Sequence, residues 1–593
     1  MAIQLSPGVN VSEIDLTTVV PAVSTSIGAF AGGFAWGPAA KIITVPDEIT
    51  LVNTFGQPDT NTFISFFTCA SFLSYGNNLQ VIRAVASTSN NAIANANASG
   101  VQVVNEDIFE NYYLNNNNAN TFGPFMARYP GALGNSIAVS IIDAGPLQAN
   151  GAIYSNNFSG WAYASYFTGA ANTSSSAVTL GASYDEMHIV VIDKDGVFPQ
   201  SQGVRGAVLE TWPFLSKAYD GNDPLGNPSY YKQALWNNSN YIYAIDPPNY
   251  SSTQSTWGKF TAGTTFATLP SSQYIVMSQG NDASIEGSGT GAPYSSSSTS
   301  ALEQAYDRFA NKDHVDIDLV LTAAANATVQ KYVVENVAAK RADCVAFVSP
   351  PSSAVIANYG NETTAIQSWV QGLNIASQNG SYAVADSAWK YMFDKYNNVY
   401  RYVPLNGDIA GLCAFTDKVR DAWWSPAGFN RGGIKNAIKL SWNANQTYRD
   451  QLYSIGVNPV VSFPGNGIVL YGDKTLQSKP SAFDRINVRR LFIVLEKAIS
   501  LAAKYSLFEF NDDFTRSQFV SLITPYLRDI QGRRGITDFR VVCDTTNNTG
   551  QVIDSNHFVG DIYIKPARAI NFIQLNFVAV RTGVDFTEVV GKF

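Results

Sequence analysis

The pattern of hydrophobic and polar positions changes along the chain, and each pattern predicts a different kind of structure. In residues 23–87 and 301–483, short apolar runs alternate with stretches of helical spacing, which predicts an α/β middle domain. Residues 88–300 hold short strand-like runs between Asn-, Ser- and Gly-rich stretches, which is typical of β-rich domains with long loops. The chain is therefore expected to be an α+β or α/β multidomain protein, with β-rich outer domains inserted into a mixed α/β core.

The α/β prediction rests on a strand–helix–strand unit in the second stretch. Val315, Ile317 and Leu319 share one strand face, "TVQKYVVENV" has helical spacing, and "DCVAFV" is the next apolar run. A unit of this length connects two parallel strands. We therefore expect a parallel sheet in the middle domain.

Residues 484–593 predict a C-terminal domain of two amphipathic helices followed by strands. Apolar residues form a stripe in "INVRRLFIVLEKAISLAA", and Asp484 stands where it could cap that helix. Asn511 to Asp513 could cap the second helix, and "ITDFRVVCD" and "DIYIKPA" have the character of strands.

Both ends of the chain predict extended arms, residues 1–22 and about 580–593. The arm positions that we expect to carry strand contacts are Val9, Val11, Ile14, Leu16, Val584, Phe586 and Val589. The change of parity between Val11 and Ile14 implies a bulge or bend. Because a lone strand is not stable in water, each arm should be completed by another sheet.

Arginines are concentrated in the two predicted C-terminal helices. Those singled out are Arg485, Arg489, Arg490, Arg528, Arg533 and Arg534. They could form a solvated helix face together with the neighbouring acids, or they could contact a partner of opposite charge. Nucleic acid is a weaker alternative, because acids lie between these arginines and the whole chain has a net charge of −8.

The composition narrows the class of protein. A chain of 593 residues with 46% hydrophobic residues should fold into several packed domains. The four cysteines are far apart, which favours buried apolar residues over a disulfide framework or a zinc site. The N-terminal sequence lacks the features of a signal peptide and no apolar run approaches 18 residues, so we expect assembly in the cytoplasm and no direct contact with a membrane.

No constellation of catalytic residues is evident. The three histidines, His188, His314 and His557, have no neighbouring cysteine or second histidine. The sequence "GSGTGA" at 287–292 does not join a strand to a helix, so a linker is favoured over a dinucleotide site. The sequence therefore predicts no enzyme activity, no metal and no cofactor.

Several segments carry a resemblance to a known family. "DRINVRRLFIVLEKAI", "RRGITDFRVVCD" and "FVGDIYIKPARAINFIQLNFVAVRTGVDF" resemble the tail sheath protein of contractile-tailed bacteriophages. "SPGVNVSEIDLTT", "GFAWGPAAKIITVPDEITLVNTFGQP" and "LNGDIAGLCAFTDKVRDAWWSPAG" resemble the opening and the middle of the same family. The resemblance covers about residues 1–85 and 300–593.

The resemblance implies a mechanical role in the virion tail. Subunits of that family stack as sixfold rings around a tube and then contract, which drives the tube through the host envelope for genome ejection. The implied partners are copies of the chain, the tail tube protein, and the baseplate and tail terminator proteins. The resemblance also implies that each arm donates a strand to a neighbour, with the C-terminal domain facing the tube.

Two other functions remain open at the level of sequence. The chain could be the sheath subunit of a bacterial contractile injection or type VI-like secretion system. It could also be a polysaccharide-active enzyme or an adhesin, whose region 87–299 binds glycans through its Asn, Tyr and Trp residues. The latter needs a clustered pair of acids, and none is identifiable in the sequence.

Overall fold

The structure, a computed structural model, describes residues 23–114, 122–145, 158–247, 256–269, 271–283, 296–571 and 573–575. The chain divides into two compact units, one of which ends at Leu507 while the other begins at Phe508. The predicted arm residues before 23 and after 575 lie outside the described residues, so their conformation stays a prediction.

The described strands, in chain order, are β1 Gly28–Gly32, β2 Ile42–Val45, β3 Leu79–Arg83, β4 Asn91–Ile93, β5 Phe125–Pro130, β6 Ile137–Asp143, β7 Glu186–Asp193, β8 Ala207–Ser216, β9 Ile242–Ala244, β10 Gln273–Val276, β11 Leu319–Leu321, β12 Val345–Val348, β13 Ala383–Asp386, β14 Trp389–Asp394, β15 Val399–Pro404, β16 Lys439–Leu440, β17 Val457–Asn458, β18 Val460–Phe463, β19 Gly467–Leu470, β20 Ile536–Val542 and β21 Asp561–Pro566.

The described helices, in the same order, are α1 Glu48–Phe55, α2 Phe63–Leu73, α3 Glu106–Phe109, α4 Ser175–Thr179, α5 Tyr231–Asn238, α6 Ser296–Asp307, α7 Ala327–Tyr332, α8 Ala339–Arg341, α9 Ser352–Val355, α10 Glu362–Leu373, α11 Asn406–Val419, α12 Gln446–Ser454, α13 Ile486–Ala503, α14 Asp513–Gly532 and α15 Gly550–Asp554.

A seven-stranded sheet organises the larger unit, with the strand order β17–β13–β12–β11–β1–β3–β2. Its neighbouring strands are parallel except for β2, which is antiparallel to β3. Parallel strands covered on both faces need apolar side chains on both sides, which explains runs such as "GAFAG" and "VAFV". The parallel pairing of β11 with β12 confirms the predicted strand–helix–strand unit.

Residues between β3 and β11 form further sheets within this unit. One has the order β10–β6–β7–β8 and another β4–β5–β9, and both are antiparallel. Because β1 pairs with β11, stretches before and after this region share one sheet. The chain is therefore a mixed α/β protein of several parts, as the sequence predicts.

The sequence Lys194-Asp195-Gly196 after a strand-like run predicts a tight hairpin turn, and this prediction is wrong. Strands β7 and β8 are antiparallel neighbours, but a long loop, residues 194–206, connects them instead of a tight turn. The carboxylate of Asp193 accepts hydrogen bonds from the amides of Gly196 (2.9 Å) and Phe198 (2.7 Å), which turns the chain into a longer loop. The Phe198 side chain is then buried beside Trp36.

The first helix of the C-terminal region begins one residue later than the predicted cap implies. The residue that caps α13 is Arg485 without a side-chain bond, whereas Asp484 lies in the preceding turn. Helix α13 packs in the compact unit that ends at Leu507. Its residues Ile486 and Ile493 are buried in the large core of that unit.

Candidate functional site

Helix α14, which is 20 residues long, is the first described helix of the C-terminal unit. The Asp512 carboxylate accepts a hydrogen bond from the Thr515 amide (2.8 Å), which confirms the predicted cap. Phe519, Ile523 and Leu527 recur at helical spacing and are buried. Their burial fixes which face of the helix points inward and leaves the opposite face in solvent.

Strands β20 and β21 form an antiparallel hairpin in the same unit. Val542 lies opposite Asp561, and the register runs to Ile536 opposite Pro566 with a bulge after Ile536. The buried Asn548 side chain holds the connection between the strands, because it both accepts from the Val559 amide (2.9 Å) and donates to the Val559 carbonyl (2.8 Å). These two hydrogen bonds therefore fix the connection next to the hairpin; we call the hairpin the platform.

Among the described residues, this sheet has two strands, so that each strand has an outer edge with no described strand beside it. Such edges present unpaired amide and carbonyl groups to any extended segment that approaches. Charged side chains line the hairpin, and an exposed ion pair joins Lys565 and Asp538 across it at 2.9 Å. The described edges could therefore accept further strands.

The predicted donor residues themselves cannot be placed on this platform. Those of the first arm and those of the last lie outside the described residues. Their pairing partners stay a prediction.

Residues 25–27, which follow the first arm in the chain, are described, and side chains of α13 help to hold them. The guanidinium of Arg490 binds both carboxylate oxygens of Asp417, at 2.9 and 2.6 Å. The same guanidinium donates to the Thr25 carbonyl at 3.0 Å. Burial alone lowers the pKa of Arg490, but the Asp417 carboxylate more than compensates and raises it above its ordinary value.

A second pair from α13 holds the next residues. The Asp318 carboxylate accepts from the Ile27 amide and from the Lys497 ammonium, each at 2.9 Å. Burial raises the pKa of Asp318 to about 6, against the opposing effect of Lys497. We call Arg490, Asp417, Lys497 and Asp318 the arm clamp, because together they fix residues 25–27 against α13.

The six predicted arginines fall into two groups. Arg485 pairs with Asp473 (2.9 Å), Arg489 lies 4.4 Å from the rings of Tyr382 and Phe483, and Arg490 belongs to the arm clamp. These three charges are used inside the larger unit, and Arg489 and Arg490 are buried. Arg528, Arg533 and Arg534 are exposed near the C-terminal end of α14. A contact with a partner stays a prediction for this second group.

The sequence did not identify Asp417, Asp318 and Lys497 as members of the arm clamp that holds residues 25–27. Asp417 is 73 residues from Arg490, and Lys497 is 179 residues from Asp318. The one available signal was that Arg489 and Arg490 stand among apolar residues in "NVRRLFIVL", a setting that asks for internal partners.

The carboxyl edge of the parallel sheet is where many α/β proteins bind ligands. Here the N-terminus of α11 fills it, because the Asn406 side chain accepts from the Ala323 amide (3.0 Å) and donates to the Ala323 carbonyl (2.7 Å) and to Ser349 (2.8 Å). Ser349 in turn donates to Asp386. These polar groups satisfy one another, as expected of a structural network.

Other chemistry is sparse in the described part of the chain. No group of three or more potential metal ligands occurs there. No helix there is long and apolar enough to span a bilayer. His188 is buried and stacked on Phe167, with 4.4 Å between ring centroids, and the described cysteines are buried and form no disulfides. The burial of the cysteines confirms the predicted role of these residues.

Two family models match the chain. The model of the phage tail sheath protein central domain matches residues 297–476. The model of the phage tail sheath C-terminal domain matches residues 478–579.

Individual proteins are similar over nearly the whole length. The tail sheath protein of Vibrio phage KVP40 is 36% identical over 688 residues, which cover 99% of this chain and 100% of that protein. The tail sheath protein of Enterobacteria phage T4 is 34% identical over 704 residues, with 99% of each covered. A crystal structure of a sheath tail protein from Listeria innocua has a TM-score of 0.50 at 11% identity and covers 93% of this chain and 97% of that one, which supports the fold.

Proposed function

The chain belongs to the phage tail sheath protein family, and we propose that it is the structural subunit of a contractile tail sheath. In this role it polymerises as stacked sixfold rings around the tail tube. Contraction of the polymer then drives the tube through the host envelope during genome ejection. Its partners are copies of itself, the tube protein, and the baseplate and tail terminator proteins, and assembly takes place in the host cytoplasm.

The observation that carries the proposal is the two-stranded hairpin of β20 and β21 with its open outer edges among the described residues. We propose that the first arm of one neighbour and the last arm of another add strands to it. Hydrogen bonds contribute roughly 1 kcal/mol each, so one donated strand gives a link of a few kcal/mol. Repeated at both ends of every subunit, such links form a mesh that can change geometry without separating.

The arm clamp fits this assembly. An arm that connects two subunits transmits force to the point where it leaves its own subunit. Arg490 and Asp318 hold that point through buried charged groups rather than through exposed contacts. We infer that the arm moves as a strand tethered at Thr25, while the larger unit keeps its structure.

We also propose a division of labour within the chain. Residues 88–300 form the outer, surface-protruding part, and the C-terminal domain, residues 484–593, faces the tube. The exposed side chains of Arg528, Arg533 and Arg534 make charged contacts with the tube or with a neighbouring subunit. A structural role accounts for the internal use of the buried ionisable groups and requires no catalytic centre or cofactor.

Truncation of the arms tests the proposal. The full-length chain should form striated tubes visible by electron microscopy, whereas chains that lack residues 1–18 or 580–593 should stay soluble and unpolymerised. Normal tubes from both truncated chains would contradict strand donation.

A matched pair of substitutions tests the hydrogen bonds themselves. Val11→Pro removes a backbone donor from the first arm and should weaken assembly, while Val11→Thr keeps the donor and the strand preference and should assemble normally. Equal assembly of the two variants would show that backbone pairing at this position is not used.

The alternative is the sheath of a bacterial contractile injection or secretion machine. The two phage tail sheath proteins that match over 99% of the chain favour a phage. Neighbouring genes for a capsid and a terminase would support the phage, and their absence would favour the alternative.

A further inference from the structure

Three phenylalanines stand exposed where the C-terminal unit begins. The exposed fraction is 105% for Phe508, 85% for Phe510 and 75% for Phe514. Large apolar side chains grouped in so short a segment are unusual on a protein surface and mark interaction sites. Phe508 has a φ of +69°, a backbone conformation that a bulky residue rarely adopts and that accompanies function.

The same segment is acidic. Glu509, Asp512 and Asp513 are exposed, and residues 508–514 contain no basic side chain. Asp512 caps α14 and Asp513 pairs with Arg516 at 2.5 Å, so Glu509 is the carboxylate on which the contact with a partner depends. We call residues 508–514 the acidic–aromatic segment. Its combination of carboxylates and ring faces suits a guanidinium group, which can pair with the former and stack on the latter.

Such a partner exists at the other end of the adjoining helix. Arg528, Arg533 and Arg534 are exposed near the C-terminal end of α14, where Asp529 is the one acid among them and pairs with Arg533 at 3.5 Å. We call residues 528–534 the arginine end. A helix of 20 residues is about 30 Å long, so the acidic–aromatic segment and the arginine end lie too far apart to meet within one copy.

We propose that the acidic–aromatic segment of one copy docks on the arginine end of α14 in a second copy. This inference rests on the proposed polymerisation and names a surface that is separate from the strand arms. The contact is head to tail, because two different surfaces meet. Contacts of this type propagate into rings or helical stacks rather than closing as twofold dimers.

Charge reversal on each side tests the proposal in the full-length chain without tube protein. Glu509→Arg and Arg528→Glu should each raise the protein concentration needed for tube formation by about tenfold or more. Mixed in equal amounts, the two variants should form tubes again, because the altered segment of the first is complementary to the altered end of the second. The effect should weaken as the salt concentration rises.

Glu110→Arg and Arg205→Glu serve as matched controls, since both residues are exposed on the part of the chain between β3 and β11. Neither control should change the concentration at which tubes form. Hydrogen exchange of the variants should match that of the natural chain, which confirms that they fold. The neutral variants Glu509→Gln and Arg528→Gln should give smaller effects in the same direction.

Assembly of either reversed variant at the natural concentration would overturn the proposal. Failure of the mixture to assemble, while each variant is folded, would also overturn it, because the two surfaces would then not meet each other. These outcomes leave the sheath function standing if the natural chain forms tubes. Absence of tubes from the natural chain would instead contradict the proposed function.

Discussion

Replacement of Arg490 by Met should loosen the root of the first arm more than any exposed substitution nearby. Arg490 is 4% exposed and its partner Asp417 is 8% exposed, and two hydrogen bonds join them. Met keeps much of the volume but leaves the Asp417 carboxylate without its cation. Removal of one partner from a buried ion pair costs about 3–5 kcal/mol, since the remaining charge stays buried.

Hydrogen exchange is the appropriate assay, because the chain has more than one unit and does not unfold as a simple two-state protein. A loss of about 3–5 kcal/mol should speed amide exchange in α13 and around Ile27 by roughly 10²- to 10⁴-fold. Exchange in α14, which belongs to the other unit, should not change.

Arg489→Met is the matched control on the same helix. Arg489 stacks on two rings, and its acidic partner Glu496 is 52% exposed. Replacement of Arg489 therefore leaves no buried carboxylate without a partner. It should cost only about 1–2 kcal/mol. The double variant Arg490→Met with Asp417→Leu should recover part of the loss. Equal exchange in the two single variants, or no recovery in the double variant, would refute the buried-charge argument.

Three further predictions concern other buried groups. Arg83 donates to the carbonyls of Phe34, Gly37 and Pro130 at 2.7–2.9 Å and is 2% exposed, so Arg83→Met should lower the free energy of local opening around β3, measured by hydrogen exchange, by about 3 kcal/mol, whereas exposed Arg205→Met should not. Burial raises the pKa of Asp318 to about 6, above its value of about 4 in the unfolded chain. The native state therefore binds the extra proton between these values, so stability should fall as the pH rises from about 4 to about 6; a melting temperature of Asp318→Asn that kept the same pH dependence would contradict this. Burial also raises the pKa values of Cys344 and Cys413, that of Cys413 to about 12, so a thiol reagent at pH 8 should label them only after unfolding, and rapid labelling of the folded chain would show that the sites open.

Local elements were the part of the fold that the sequence predicted well. Runs such as "LVL" and "VAFV" became buried parallel strands, and Asp512 caps α14. These features depend on residues close together in the chain, through side-chain periodicity and the geometry of a helix end. The prediction that Asp484 caps α13 failed because Asp484 is the last residue of the preceding turn. The capping position therefore falls one residue later, at Arg485.

The division of the chain into units depended on packing. The sequence places α13 with the C-terminal region, because the composition of this helix matches that of residues 504–593. In the structure, its apolar face is buried in the large core, and the division falls after Leu507. Periodicity shows that a helix has an apolar face but not which core receives that face.

The sequence by itself determined the kind of protein: its apolar periodicities predict a mixed α/β fold, and its motifs resemble those of tail sheath proteins. Only the tertiary structure decided how the arginines are used. Arg490 and Arg528 both lie in predicted amphipathic helices of the C-terminal region. In the structure, however, Arg490 is buried against Asp417 and Arg528 is exposed on α14. The reason is that burial and ion pairing depend on residues brought together from distant parts of the chain, and those distances are set by folding and not by spacing along the sequence.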